Sequence, residues 1–142
     1  SHENKKPFDI VAMPYGDQVL WPDHCIQGSI GSRFHPDLNH TRADVIIRKG
    51  SNPAVDSYSA FYENDKVTPT GLHGYLKNRE VTKLTLVGLA TDYCVAFSAL
   101  DAAKLGYAVT VRLDMARGIE TDGSLNAALD KMSKAGVNLV NG

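Results

Sequence analysis

Only two cysteines occur in this 142-residue chain, Cys25 and Cys94, and they sit in unrelated contexts. That is no disulfide framework, and a reducing cytoplasm is the expected setting. No C-x-x-C pair exists, which leaves a redox reading of Cys94 with little support and Cys25 without a resolving role. No apolar run approaches the ~18 residues needed to span a bilayer. The N-terminal stretch Ser1–Pro7 lacks the apolar segment of a signal peptide. No basic run occurs either. Lys plus Arg number 15 against 16 Asp plus Glu, for a net charge of −1, so nothing points to nucleic acid or a membrane surface. Proline is absent after Pro69, and histidine is almost absent after His40. The chain thus divides into an irregular front, rich in proline and histidine, and a regular back. At 43% hydrophobic and 22% charged residues the whole is ordinary for one globular domain.

The back alternates two periodicities. Asp44–Gly50 is a short β-branched run and reads as a strand over 45–49. Thr68-Pro69 reads as a helix start, with a weak helix to about Asn78. Residues 84–89 form the clearest strand, apolar on both faces as in a buried parallel position. Val95, Ala99, Ala102 and Ala103 recur at helical spacing over 92–105, with Thr91 or Asp92 as cap and Gly106 as stop. A strand over 108–113, a helix over 124–135 with the stripe Leu125, Ala128, Leu129 and Met132, and a last strand over 137–140 complete the order. Such alternation predicts an α/β domain over residues 1–142, with a parallel sheet and helices on both faces. Residues 1–44 do not fit that plan. They offer one short strand near Phe8–Ala12, and a loop so long implies function or a missing element. A small four-stranded sheet favours the second: at least one further strand is expected from sequence outside this chain. Met13, Met115 and Met132 read as core or near-core filler.

Ligands of an open parallel sheet bind beyond the carboxyl ends of its strands. Lys49 and Cys94 both fall at that edge. Cys94 lies in the first turn of its helix, where free N–H groups and the helix dipole favour thiolate. From local context alone, a nucleophile and an inert packed thiol stay open as alternatives. Lys49 is either a solvated strand end or a charge placed at the ligand edge. Trp21-Pro22-Asp23-His24-Cys25 is the densest cluster of the front. His24 is either a metal ligand or a histidine in a proline-stiffened turn, and one histidine alone makes no site. Cys25 reads as structural, and His2, His35 and His40 as surface residues.

Taken together, five segments resemble the nicotinamidase branch of the isochorismatase-like cysteine hydrolases. They are Leu20–Ser29, Phe34-His35-Pro36, Arg48–Pro53, Asp56–Phe61 and Gly88–Val95. The resemblance implies a Rossmann-like three-layer fold and a Cys–Lys–Asp triad, with Cys94 as nucleophile and Lys49 as the lysine. It implies an oxyanion hole from the backbone amides of Ala90 and Cys94, beside a cis peptide between Leu89 and Ala90. It implies a pyridine pocket lined by Trp21, Tyr58 and Ala90. It also implies one divalent metal, zinc first and iron or manganese next, with His24 as a ligand and residues 1–44 as the metal and substrate segment. The implied activity is hydrolysis of nicotinamide, or of an analogue such as pyrazinamide, to the acid and ammonia in NAD salvage. The family's first strand, which carries the catalytic aspartate, and its Asp-x-His metal pair have no counterpart here. The chain therefore resembles the C-terminal portion of such an enzyme, expected to be weakly active or inactive by itself. An incomplete record, a truncated form and a nicked protein with its N-terminal piece as a separate chain are the alternatives. Rival readings are another small-amide hydrolase of the superfamily and a non-catalytic binding remnant. A homo-oligomer stays open.

Overall fold

The computed structural model describes residues 4–142, so His2 lies outside the described residues. The chain divides into two compact units, one ending at Ile46 and one running from Ile47 to Gly142. Among the described residues no helix is long and apolar enough to cross a membrane.

In the first unit, β1 (Ile10–Met13) and β2 (Gly16–Val19) form an antiparallel hairpin. The expected strand near Phe8–Ala12 is therefore present, but it pairs locally. Met13 faces Gly16 across a two-residue turn of Pro14 and Tyr15, and proline's fixed φ suits such a turn. The cross-strand pair Val11 and Gln18 supplies the buried side of the hairpin. Beyond it the chain runs irregularly, with single 3-10 turns at Ile30–Ser32 and His40–Arg42. The β-branched run at 45–49, read as a strand, forms no ladder among the described residues. β propensity favours extended backbone, but a strand needs a partner for its N–H and C=O groups. Val45 and Ile46 are exposed there.

The second unit carries the alternation expected from the sequence. Helix α1 covers Leu72–Asn78, β3 Lys83–Leu89, α2 Ala96–Lys104, β4 Ala108–Arg117, α3 Ser124–Lys134 and β5 Asn138–Val140. The sheet has the order β3-β4-β5, and both pairings are parallel. Its core gathers Val109 and Val111 of β4, Ala99 and Ala102 of α2, Ala128 and Met132 of α3, and Phe61 and Val137. Alanines on α2 let the helix lie close on the strand, and the long Met132 side chain, fully buried, fills the space beside α3. Gly106 and Gly136 take positive φ just after α2 and α3, where the next amides turn back onto the last carbonyls.

Three local expectations need correction. Helix α1 starts later than Thr68-Pro69, because Asp65 takes both the amide and the hydroxyl of Thr68 (2.9 and 2.6 Å) and Pro69 bridges to Tyr62. β3 is parallel but lies at the sheet edge, with Val87 and Leu89 exposed, so its second face is not buried among the described residues. Met115 is 56% exposed on a β4 that runs past residue 113 to Arg117, through a register shift opposite Leu86–Gly88.

Candidate active site

The end of β3 turns directly into the segment that carries the cysteine. The Leu89–Ala90 peptide bond is cis, as the resemblance implies. A single π-helical turn, Thr91–Val95, follows, and α2 continues from it. The Ala90 carbonyl accepts from the amides of both Tyr93 (3.1 Å) and Val95 (3.0 Å). This wide turn holds Cys94 half-exposed between the strand end and α2.

Lys49 reaches the same place from a segment far away in sequence. Its ammonium donates to the Ser57 carbonyl at 2.6 Å and to Cys94 Sγ at 3.5 Å. The first bond fixes the amine, and the second sets a positive charge beside the sulfur. The expected meeting of Lys49 and Cys94 is therefore present, although among the described residues the lysine comes from a segment outside any ladder and not from a strand. No carboxylate forms a salt bridge with Lys49 among the described residues. Tyr58, one residue beyond that carbonyl, is buried and sets its ring edge-on against Tyr93 and Phe97, at 5.7 and 5.1 Å between centroids. It thus packs on the neighbour of Cys94.

Of two residues that support the turn, Ser98 was not singled out in the sequence and Asp92 was read only as a candidate cap. Ser98 donates to the Cys94 carbonyl at 2.6 Å and accepts from the Ala60 amide at 2.8 Å. Its signal was its position four residues after Cys94, where a serine bonds back along a helix. Asp92 does not serve as a simple cap. Its carboxylate is buried and accepts from the amides of Ile119 (3.0 Å) and Glu120 (2.9 Å) and from the Ser124 hydroxyl (2.5 Å). It ties the loop after β4 to the cysteine turn. Gly118 permits the approach: a Cβ there would sit 3.1 Å from Leu125 Cδ1 and 3.5 Å from Asp92 Oδ1. Burial works to push the Asp92 carboxyl up, but the hydrogen bonds from Ser124, Ile119 and Glu120 outweigh it and hold it below the usual aspartate range.

Trp21 and His24 belong to the first unit. Trp21 packs edge-on against Phe8, with centroids 5.9 Å apart. The His24 ring is exposed, and its Nδ1 lies 2.7 Å from the Pro22 carbonyl. A carbonyl only accepts, so Nδ1 is the protonated nitrogen, and that tautomer is the one whose Nε2 lone pair suits a metal ligand. A catalytic zinc takes about three protein ligands. Among the described residues no group of three His, Cys, Asp or Glu side chains is placed to hold a metal. The described residues therefore do not by themselves make up a metal site. Cys25, expected to be structural, is exposed with φ of +48°. It sits in a turn, with no packed surroundings to fill. His35 and His40 are exposed as expected, His40 stacked on Phe34.

A family model described as "Isochorismatase domain" matches residues 5–141. The chain belongs to the isochorismatase domain family. Within it, the chain is 48% identical over 137 residues to the nicotinamidase of Acinetobacter baylyi, covering 96% of this chain and 64% of that protein. It thus spans a little under two thirds of that relative's length. Among solved structures, a nicotinamidase and pyrazinamidase of Acinetobacter baumanii superposes with a TM-score of 0.96 at 50% identity, covering 99% of this chain and 68% of that one. The pyrazinamidase of Pyrococcus horikoshii, solved in complex with zinc, superposes with a TM-score of 0.71 at 34% identity, covering 86% and 63%.

Proposed function

We propose that this chain carries the nucleophile and the lysine of a nicotinamidase, which hydrolyses nicotinamide to nicotinate and ammonia. The observation that supports it most directly is the Lys49 ammonium 3.5 Å from Cys94 Sγ. A lysine anchored on a carbonyl is a fixed charge rather than a wandering one, placed where negative charge on sulfur forms and returns during the reaction. The relatives named nicotinamidase supply the substrate class.

In this reading the Cys94 thiolate attacks the carboxamide carbon. The backbone amides of Ala90 and Cys94 hold the oxyanion, each such donor being worth about 2.7–4 kcal/mol. The proton given up by the Cys94 thiol passes to the carboxamide nitrogen, the C–N bond breaks, and ammonia leaves a thioester behind. Water then adds to the thioester and the acid departs, restoring the thiol. Lys49 stabilises negative sulfur at both ends of the cycle. Tyr58 offers a flat apolar wall for the pyridine ring, and the resemblance assigns Trp21 the same role. The aspartate that the resemblance adds to the triad is not among the residues gathered at Cys94. Zinc is the metal proposed from the resemblance, with His24 as a ligand from this chain, and no step above runs through it. A cytoplasmic setting, which keeps an exposed Cys25 and a reactive Cys94 reduced, completes the reading.

The test is ammonia release from nicotinamide and pyrazinamide by the native protein and by its Cys94→Ala variant. Nicotinamide hydrolysis that falls at least 100-fold in the variant is the expected result. Hydrolysis that survives the substitution refutes the covalent route. Turnover of other small amides, with nicotinamide untouched, refutes the substrate assignment.

A further inference from the structure

Cys94 and Lys49 are held by different pieces of chain, and something must set the gap between them. Lys49 is gripped by the carbonyl of Ser57, at the start of the buried segment 57–61. Cys94 sits on the π-helical turn that opens α2. A single hydroxyl hydrogen-bonds to both pieces. Ser98, 7% exposed, donates its hydroxyl proton to the Cys94 carbonyl at 2.6 Å and accepts the amide proton of Ala60 at 2.8 Å. A hydroxyl is suited to this because it donates and accepts at once. The result is a closed circuit: Cys94 Sγ to Lys49, Lys49 to the Ser57 carbonyl, along the backbone to Ala60, and through Ser98 back to the Cys94 carbonyl.

We infer that Ser98 is a positioning residue, whose hydroxyl sets the Cys94–Lys49 spacing by fastening the cysteine turn to the segment that grips the lysine. The inference rests on the reading of Cys94 and Lys49 as a reactive pair. Ser98 bonds to the backbone of Cys94 and not to its sulfur, so it acts through placement alone. A helix-interior serine that merely satisfied its own hydroxyl would need the Cys94 carbonyl but not the Ala60 amide. The neighbouring Tyr58, packed on Tyr93 and Phe97, buttresses the same junction through apolar contact.

The experiment measures the alkylation of Cys94 by iodoacetamide in the native protein at pH 7.5, with tandem mass spectrometry assigning the label so that Cys25 does not count. Ser98→Ala, which removes both hydrogen bonds, is expected to slow Cys94 labelling about tenfold, within the range that losing buried hydrogen bonds allows. Nicotinamide turnover falls in step through kcat, while KM stays within twofold. Ser98→Thr, which keeps the hydroxyl, stays within twofold of the parent. Ser98→Cys keeps the volume with a weaker donor and gives an intermediate rate, which serves if the alanine variant fails to fold. In a Lys49→Met background, Ser98→Ala adds no further slowing, because the spacing it sets no longer has a charge at its other end. Labelling at the parental rate in Ser98→Ala, failure of threonine to rescue, or slowing that multiplies with Lys49→Met overturns the inference. If the labelling pattern holds but nicotinamide is not hydrolysed, the proposed function fails and the positioning role stands.

Discussion

Replacing Asp92 by asparagine tests whether a buried carboxylate fastens the loop after β4 to the cysteine turn. Three donors converge on its two oxygens: the Ile119 amide on Oδ1, and the Glu120 amide and Ser124 hydroxyl on Oδ2. Asparagine keeps one oxygen and turns the other into an N–H donor, which must then face an amide that also donates. Hydrogen bonds to a charged acceptor contribute about 1.5–3 kcal/mol each and neutral ones about 1. Losing one bond and neutralising the others should destabilise the protein by about 3 kcal/mol at pH 7. The pH dependence follows from the lowered Asp92 carboxyl. A depressed carboxyl contributes its stability above the unfolded value of about 3.9, and loses it as pH falls from there through the folded value. The gap between parent and Asp92→Asn should therefore be constant from pH 7 to about 5 and shrink below about 4. Urea unfolding of both proteins at pH 7, 5, 4 and 3 measures it. A gap under about 0.5 kcal/mol at pH 7, or one that widens on acidification, would show that the carboxylate does not carry this junction.

Met132→Ala should cost about 2–5 kcal/mol, because the side chain is fully buried among Val109, Val111 and Ala128, and the cavity cannot close completely. Denaturant unfolding reads this, and a loss below about 1 kcal/mol contradicts the core described. His24→Ala should lower the zinc bound per protein in elemental analysis while leaving the Cys94 alkylation rate within twofold. Unchanged zinc content removes His24 from the ligands.

Some of this molecule follows from local chemistry, and those parts were legible in the sequence. Gly106 and Gly136 end their helices because only glycine takes the required φ without strain, whatever the surroundings. The strands at 83–89 and 138–140 and the stripe over Ala128 and Met132 carry periodicities that admit one element each. Cys94 at a strand-to-helix turn was legible for the same reason; Lys49 was placed beside it by reading 45–49 as a sheet strand, and the structure brings it there without that strand. The family resemblance extended that pair to a reaction.

The tertiary structure decided whatever depends on a partner. Residues 45–49 have a strand's composition and no ladder, because a ladder belongs to two segments and composition to one. The start of α1 moved because Asp65 competed for Thr68. Asp92 reads as a helix cap until the loop at 119–124 arrives, 27 residues or more away in sequence, to take its oxygens. Ser98 reads as a helix serine until Ala60 is found on its other side. Hydrogen bonds between distant segments leave no periodicity in either one, so their placement is a property of the folded chain alone.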